Sequence, residues 1–172
     1  MKLSIKGKIM SLHNVDEILD EGGKVVYTTR SKISIWDKTT VSKADGTVVS
    51  TFKDKLMAIH KRYYVTMADG VEFELADRLF HINDIVDIPE LGWVMRSKNF
   101  LAFDFVIYDK AGNVLATASR DLLSMLHEYY YLDIVDEGHV DELVTLFVIM
   151  RHIIQEQDAS EAAIVGSMGS SS

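Results

Sequence analysis

The chain repeats itself, and a fixed repeat constrains a fold strongly, because each unit must be a piece of supersecondary structure that completes its core against its neighbours. A short apolar stretch, mostly entered from a cation, recurs as Lys8-Ile-Met-Ser-Leu-His13, Lys32-Ile-Ser-Ile-Trp-Asp37, Lys55-Leu-Met-Ala-Ile-His60 and Arg78-Leu-Phe-His-Ile-Asn83. It returns less faithfully as Asn99-Phe-Leu-Ala-Phe-Asp104 and Leu122-Leu-Ser-Met-Leu-His127. The starts at 8, 32, 55, 78, 99 and 122 differ by 24, 23, 23, 21 and 23 residues. A second mark lies between these stretches: Asp20-Glu-Gly-Gly23, Ala44-Asp-Gly46, Ala68-Asp-Gly70, Glu90-Leu-Gly92 and Lys110-Ala-Gly112. Such pairs between alternating apolar residues signal hairpins, since glycine accepts the positive φ these turns need. Each unit therefore reads as two strands and two turns.

The segments between turns have strand composition. Lys24-Val-Val-Tyr-Thr-Thr, Gly46-Thr-Val-Val-Ser-Thr-Phe, Tyr63-Tyr-Val-Thr-Met and Phe103-Asp-Phe-Val-Ile-Tyr are rich in β-branched and aromatic residues. Placing one strand on each side of each turn from Lys2 to Asp133 predicts about twelve. The sole proline, Pro89, falls beside a turn, where a missing N–H does least harm. A meander of this length leaves two open edges unless it closes on itself, so the expected fold is mostly β: a closed antiparallel barrel of six hairpin units. Barrel diameter grows with strand number, and side chains alone do not fill so wide a lumen.

The filling follows directly. From Val140 to Glu156 the apolar residues 143, 144, 146 to 150, 153 and 154 cover nearly the whole circumference of a helix, which marks a buried one. We therefore expect a central helix at about 138–157. Asp136, Glu137, Asp141 and Glu142 suit its N-terminal end, and Arg151 and His152 its C-terminal half. The alternative, a membrane span, needs about 20 apolar residues, and the run from Leu143 to Met150 is interrupted by Arg151 and His152. Residues 1–157 thus read as one domain. Residues 158–172, rich in Ser, Gly and Ala, read as a disordered tail.

At 172 residues, 48% apolar and 26% charged, the chain suits one folded domain with one core. It has no cysteine, which removes disulfides and thiol nucleophiles and fits a reducing compartment. The opening Met1-Lys-Leu-Ser-Ile-Lys-Gly-Lys lacks the apolar core of a signal peptide, so a cytoplasmic location is expected. A net charge of −8 argues against nucleic acid as the partner.

These motifs resemble those of the LURP-one-related family, including its small bacterial members, which share the tubby C-terminal-like fold. The resemblance spans roughly residues 1 to 157 and rests on Lys8-Ile-Met-Ser-Leu, Asp45-Gly-Thr-Val-Val, Leu91-Gly-Trp-Val, Ala102-Phe-Asp-Phe-Val-Ile, Gly112-Asn-Val-Leu-Ala and the closing helix. It implies a twelve-stranded barrel threaded by a helix. It also implies kinship with tubby proteins, which bind phosphoinositide head groups through surface cations, and with phospholipid scramblases. It brings no catalytic signature and no cofactor.

The placement of the cations is the most informative feature for function. Eleven of the 18 Lys and Arg residues, namely Lys2, Lys6, Lys8, Arg30, Lys32, Lys53, Lys55, Arg78, Arg96, Lys98 and Arg120, lead into the repeated corner. Equivalent positions of a meander lie at similar heights around a barrel. These cations could form a partial basic belt, opposite an acidic rim of Asp20, Glu21, Asp45, Asp69 and Glu90. Two readings stand: a belt that meets the phosphates of an anionic ligand, or strand-surface cations that discourage edge pairing. The candidate anion- and lipid-binding residues are Lys32, Lys53, Lys55, Arg78, Lys98 and Arg120. In the last two units the cations sit one residue earlier, which turns them toward the opposite strand face.

Other chemistry is weaker. His13, His60 and His127 share a turn position with Asp37, Asn83 and Asp104, which points to local backbone bonding rather than a metal. No nucleophile elbow or phosphate loop is present. Tyr63, Tyr64 and Tyr129 to Tyr131 fall in strands, where packing accounts for them. The expected function is a non-enzymatic binding module for anionic phospholipid head groups, or alternatively a protein-interaction scaffold without lipid affinity, with no metal or cofactor.

Overall fold

The computed structural model describes residues 1–8, 15–32, 36–55, 62–76, 85–99, 103–124 and 127–168, with side chains described for all but a few residues at the segment ends and those after 156. Twelve strands follow one another: β1 Lys2–Lys8, β2 Val15–Asp20, β3 Val25–Lys32, β4 Trp36–Lys43, β5 Val48–Lys55 and β6 Arg62–Met67. Then come β7 Glu72–Ala76, β8 Ile85–Ile88, β9 Trp93–Asn99, β10 Asp104–Asp109, β11 Val114–Ser124 and β12 His127–Ile134. A 3-10 turn at Glu137–His139 leads into helix α1, Val140–Met168.

All ladders are antiparallel, and each joins neighbours in sequence except one. That exception, β1 against β12, pairs Lys2 with Asp133 through to Lys8 with His127 and brings the ends of the meander together. The order thus runs β7-β6-β5-β4-β3-β2-β1-β12-β11-β10-β9-β8. The barrel is nearly closed: among the described residues no ladder joins β7 to β8. These are the two shortest strands of the sheet, a common way of limiting an open edge.

The turns at one end share a single construction. In the β4–β5 turn Lys43 N–H donates to the Thr47 carbonyl at 2.8 Å and Gly46 N–H to the Lys43 carbonyl at 2.9 Å. Gly46 has φ 89°, which a side chain would resist. The β6–β7 turn repeats the arrangement between Met67 and Val71, with Gly70 at φ 92°. The preceding aspartates complete these turns: Asp45 Oδ1 accepts from Thr47 N–H at 2.9 Å and Asp69 Oδ1 from Val71 N–H at 3.0 Å.

Along each strand the side chains alternate between wall and lumen. On β6, Tyr63, Val65 and Met67 are buried while Arg62, Tyr64 and Thr66 are exposed. The inward set meets α1, of which every residue from 143 to 151 is buried. Burial at every angle of the helix is what its all-round apolar sequence requires. Phe147 lies 5.8 Å, ring to ring, from Phe103, which also contacts Phe105 and Tyr130. Phe103 is wholly buried with φ 54°, a costly conformation for a bulky residue that this aromatic cluster holds in place.

The helix continues to Met168, past the boundary near residue 157 that composition suggests. The extension contains Glu161-Ala-Ala, residues of high helix propensity. Arg151 accordingly stands in mid-helix rather than near its C-terminus, and its charge is met by the barrel wall. Its guanidinium, 5% exposed, bonds both carboxylate oxygens of Asp16 on β2 and lies 5.3 Å from the Tyr130 ring centroid.

Removing one partner of a buried pair strands the other, whereas replacing the buried cation by an apolar residue removes its desolvation cost as well. Asp16→Ala is expected to lower the unfolding free energy by about 3 kcal/mol, and Arg151→Met by about 1 kcal/mol or less, because the bereft Asp16 is nearer water. Urea denaturation of the two variants measures the difference.

Candidate functional site: a basic face on β3 to β5

The outer face of β3, β4 and β5 carries cations that the ladder register places side by side. Lys38 on β4 is the direct partner of Lys53 on β5, and Lys32 on β3 is the direct partner of Lys38. Arg30 lies two residues before Lys32, opposite Thr40, which in turn faces Thr51. Arg30, Lys38 and Lys53 are all exposed, while their chain neighbours Thr29, Thr39 and Phe52 are buried, as strand alternation requires. Tyr64, partner of Lys53 on β6, borders the face and is 47% exposed.

Among the described residues none of Arg30, Lys38 and Lys53 has a carboxylate within ion-pair distance. Several described cations elsewhere on the barrel are engaged. Lys2 meets Asp133 at 3.8 Å, Arg62 meets Glu74 at 2.7 Å, Lys6 lies over Tyr129 and Arg96 over Tyr108. Of the basic belt expected from the repeat, Arg30 and Lys53 lie on this face, while exposed Lys6 and Arg96 lie on β1 and β9. Directly opposed like charges on a sheet are destabilising, so the Lys38–Lys53 pair stands at a cost to the fold.

Of the six residues singled out by sequence, Lys53 lies in this face and Lys32 joins it by backbone register. The side chains of Lys32, Lys55 and Lys98, and all of Arg78, lie outside the described residues. Arg120 does not belong to an outer surface. It shares the strand parity of buried Ala116 and Ala118, and its side chain is 7% exposed. It donates to Glu128 at 2.6 Å and lies over the ring of Tyr130, whose hydroxyl donates to the same carboxylate at 2.7 Å. The offset expected for the last two units does not account for this, because Arg120 stands two residues before its apolar stretch, as Lys53 does, and Arg96 in the offset unit is exposed. The ladder partner of Arg120 on β12 is the buried Tyr130, and that pairing sets Arg120 inward. Lys38 and Arg30 complete the face. Lys38 lies across the corner from Lys32, and that symmetry about residues 33–37 was the available signal for it.

At the opposite end, charge has the other sign. Bonds from backbone N–H groups hold Asp45, Asp109 and Asp136 below the usual carboxylate range, for Asp109 after the bond from the Asn113 side chain. A cleft of about 490 Å³ opens there beside the start of α1, lined by Lys43 and the Met1 ammonium but also by Asp69, Glu137, Asp141 and Glu142. Tyr27 reaches Asp141 with its hydroxyl at 2.7 Å, and Lys43 reaches the same carboxylate at 3.0 Å. Burial first, then the acceptor Asp141, pushes the Tyr27 phenol far above its ordinary value. Burial and Glu128 do the same to Tyr130.

The tyrosines divide by parity. Tyr63 and Tyr130 are buried in the lumen, whereas Tyr64 and Tyr131 face outward. For metal ligation, the described residues bring together Asp54 of β5 with His152 and Glu156 of α1. The turn histidines His13, His60 and His127 lie outside the residues whose side chains are described.

The architecture is that of a helix-centred, nearly closed antiparallel β-barrel. The model of the LURP-one-related family matches residues 1–151, and the chain belongs to that family. Among solved structures it is similar to an X-ray structure of a protein from Arabidopsis thaliana, at 12% identity over 87% of this chain and 91% of that one, with a TM-score of 0.47. No curated protein matches the chain. Among the described residues no helix is long and apolar enough to cross a membrane.

If Lys38 and Lys53 repel, Lys38→Glu should raise stability by a few tenths to about 1 kcal/mol. The gain should shrink in high salt. The double variant Lys38→Glu with Lys53→Glu should lose it again, and a double-mutant cycle by chemical denaturation gives the coupling.

Proposed function

We propose that this protein is a non-enzymatic binding module whose face on β3 to β5 takes the phosphate of an anionic phospholipid head group. The observation that carries the reading is the direct opposition of Lys38 and Lys53 with no carboxylate in ion-pair distance among the described residues. A phosphate between the two would turn their repulsion into attraction and give Arg30 a bidentate acceptor. Thr40 and Thr51, half-buried between the cations, supply hydroxyl donors on the same face. Tyr64, with an apolar ring and a polar tip, suits the edge of a surface lying against head groups.

Three cations near an anionic surface contribute about 1 kcal/mol each, enough for reversible attachment to a membrane and far from a permanent anchor. The reading places the protein in the cytoplasm, where the adjoining leaflet carries negative charge.

Flotation with vesicles of phosphatidylcholine alone, and with added phosphatidylserine or phosphoinositide, tests the proposal. Wild type should float with the acidic vesicles only and be released at 1 M salt, where the Debye length is about 3 Å. The triple variant Arg30→Gln, Lys38→Gln and Lys53→Gln should stay behind while its melting temperature is unchanged or higher. Equal recovery on neutral vesicles, or a triple variant that floats as wild type does, would reject the reading and leave the protein-interaction alternative in its place.

A further inference from the structure

The inner wall holds a second group of charges with a different chemistry. Asp54 is the inward neighbour of Lys53 on β5 and is 1% exposed. His152 and Glu156 stand one turn apart on α1, a spacing that puts them on the same helix face. One ligand atom from each of the three lies within 4.8 Å of the others. His152 Nε2 is 3.6 Å from Glu156 Oε1 and is itself enclosed, with no hydrogen-bond partner among the described residues.

We infer that Asp54, His152 and Glu156 form a binding site for one transition-metal dication of the zinc type, which ties helix α1 to strand β5. The distances are near those required. A tetrahedral ion with bonds of about 2.0–2.2 Å holds its ligands about 3.3–3.6 Å apart. The His152–Glu156 separation already meets this, and the three ligand atoms lie within 4.8 Å of one another, so the remaining closure falls to the Asp54 carboxylate.

The surroundings are those of a built site. The Tyr63 hydroxyl donates to Glu156 Oε2 at 3.0 Å, which leaves Oε1 turned toward His152. The His152 ring is set edge-on against Phe52 at 6.0 Å and Tyr63 at 6.1 Å, so its direction is held by packing. Second-shell orientation of this kind characterises metal ligands. The donor set agrees with geometry: two carboxylates and an imidazole are ligands a dication binds in their deprotonated forms. One nitrogen and two oxygens suit Zn2+, Co2+ or Mn2+ better than Mg2+ or Ca2+. Three protein ligands leave a position for water or a bound anion.

The competing account is an imidazolium clasped by two carboxylates, with no metal. Titration of the chelator-stripped full chain with Zn2+, Co2+ and Mg2+, followed by calorimetry and thermal melting, separates the two. Wild type should take up one Zn2+ per chain with a rise of several degrees in melting temperature, and Mg2+ should give neither. His152→Gln and Glu156→Gln should abolish uptake. Tyr63→Phe, which keeps every ligand, should weaken it by about tenfold. His139→Gln, at an exposed histidine, should leave it unchanged. A wild-type chain that shows neither heat nor a melting shift with Zn2+ overturns the inference whatever the variants do, and so does uptake that Tyr63→Phe, His152→Gln and Glu156→Gln all retain.

Discussion

The rest of this structure depends on the burial of α1 at every angle. A helix with apolar side chains around its whole circumference has no face to offer water, so it is stable only when surrounded. A wide sheet closing on itself has the converse difficulty, because its inward side chains do not fill the lumen. Neither element is complete alone. Leu143 to Met150 of the helix and Ile5, Ile18, Phe52, Leu75, Ile88, Met95 and Phe105 of the strands form one cluster. The wall, laddered from β7 through the β1–β12 pair to β8, then fixes which outer residues become neighbours.

Polar groups within that apolar mass position the helix rather than hold it in. Thr145 donates its hydroxyl proton to the Asp141 carbonyl at 2.8 Å, so its 2.7 Å contact with Ser50 has Ser50 as the donor. Asp141 meets β3 and β4 at one end of the buried segment, Arg151 meets β2 and β12, and Glu156 meets β6 at the other end. Each contact is directional, and a rotated or shifted helix would leave several buried partners unmade. Apolar burial supplies the magnitude and these contacts the register. His152, adjacent to Arg151, is drawn by the same register onto Phe52, Tyr63 and Asp54.

On the outside, the two ends of the barrel differ in charge for different reasons. The aspartates of the glycine-bearing turns are satisfied locally by backbone N–H groups and belong to the turns. Among the described residues Arg30, Lys38 and Lys53 have no carboxylate within ion-pair distance, and the register sets Lys38 against Lys53. The first pattern serves the fold. The second opposes it, which is why a functional reading attaches there and not to the acidic rim.

Much of this was legible from the sequence. Glycine in the turns, β-branched residues between them and an apolar run without a polar face determined twelve strands, their order as a meander and the placement of a buried helix, because each rests on local periodicity and backbone sterics. The candidate site was legible only in part. Lys53 was singled out, but its partner Lys38 was not, since opposition across a ladder depends on the register of two strands. Arg120 has the same spacing to its apolar stretch as Lys53, yet its ladder pairs it with buried Tyr130 and so sets it inward, which no spacing within the chain reveals. Contacts such as Arg151 with Asp16, 135 residues apart, and His152 with Asp54 exist only once the helix enters the barrel. Local pattern determined what the elements are; closure and helix insertion decided which charges meet, because those contacts join residues that no sequence period relates.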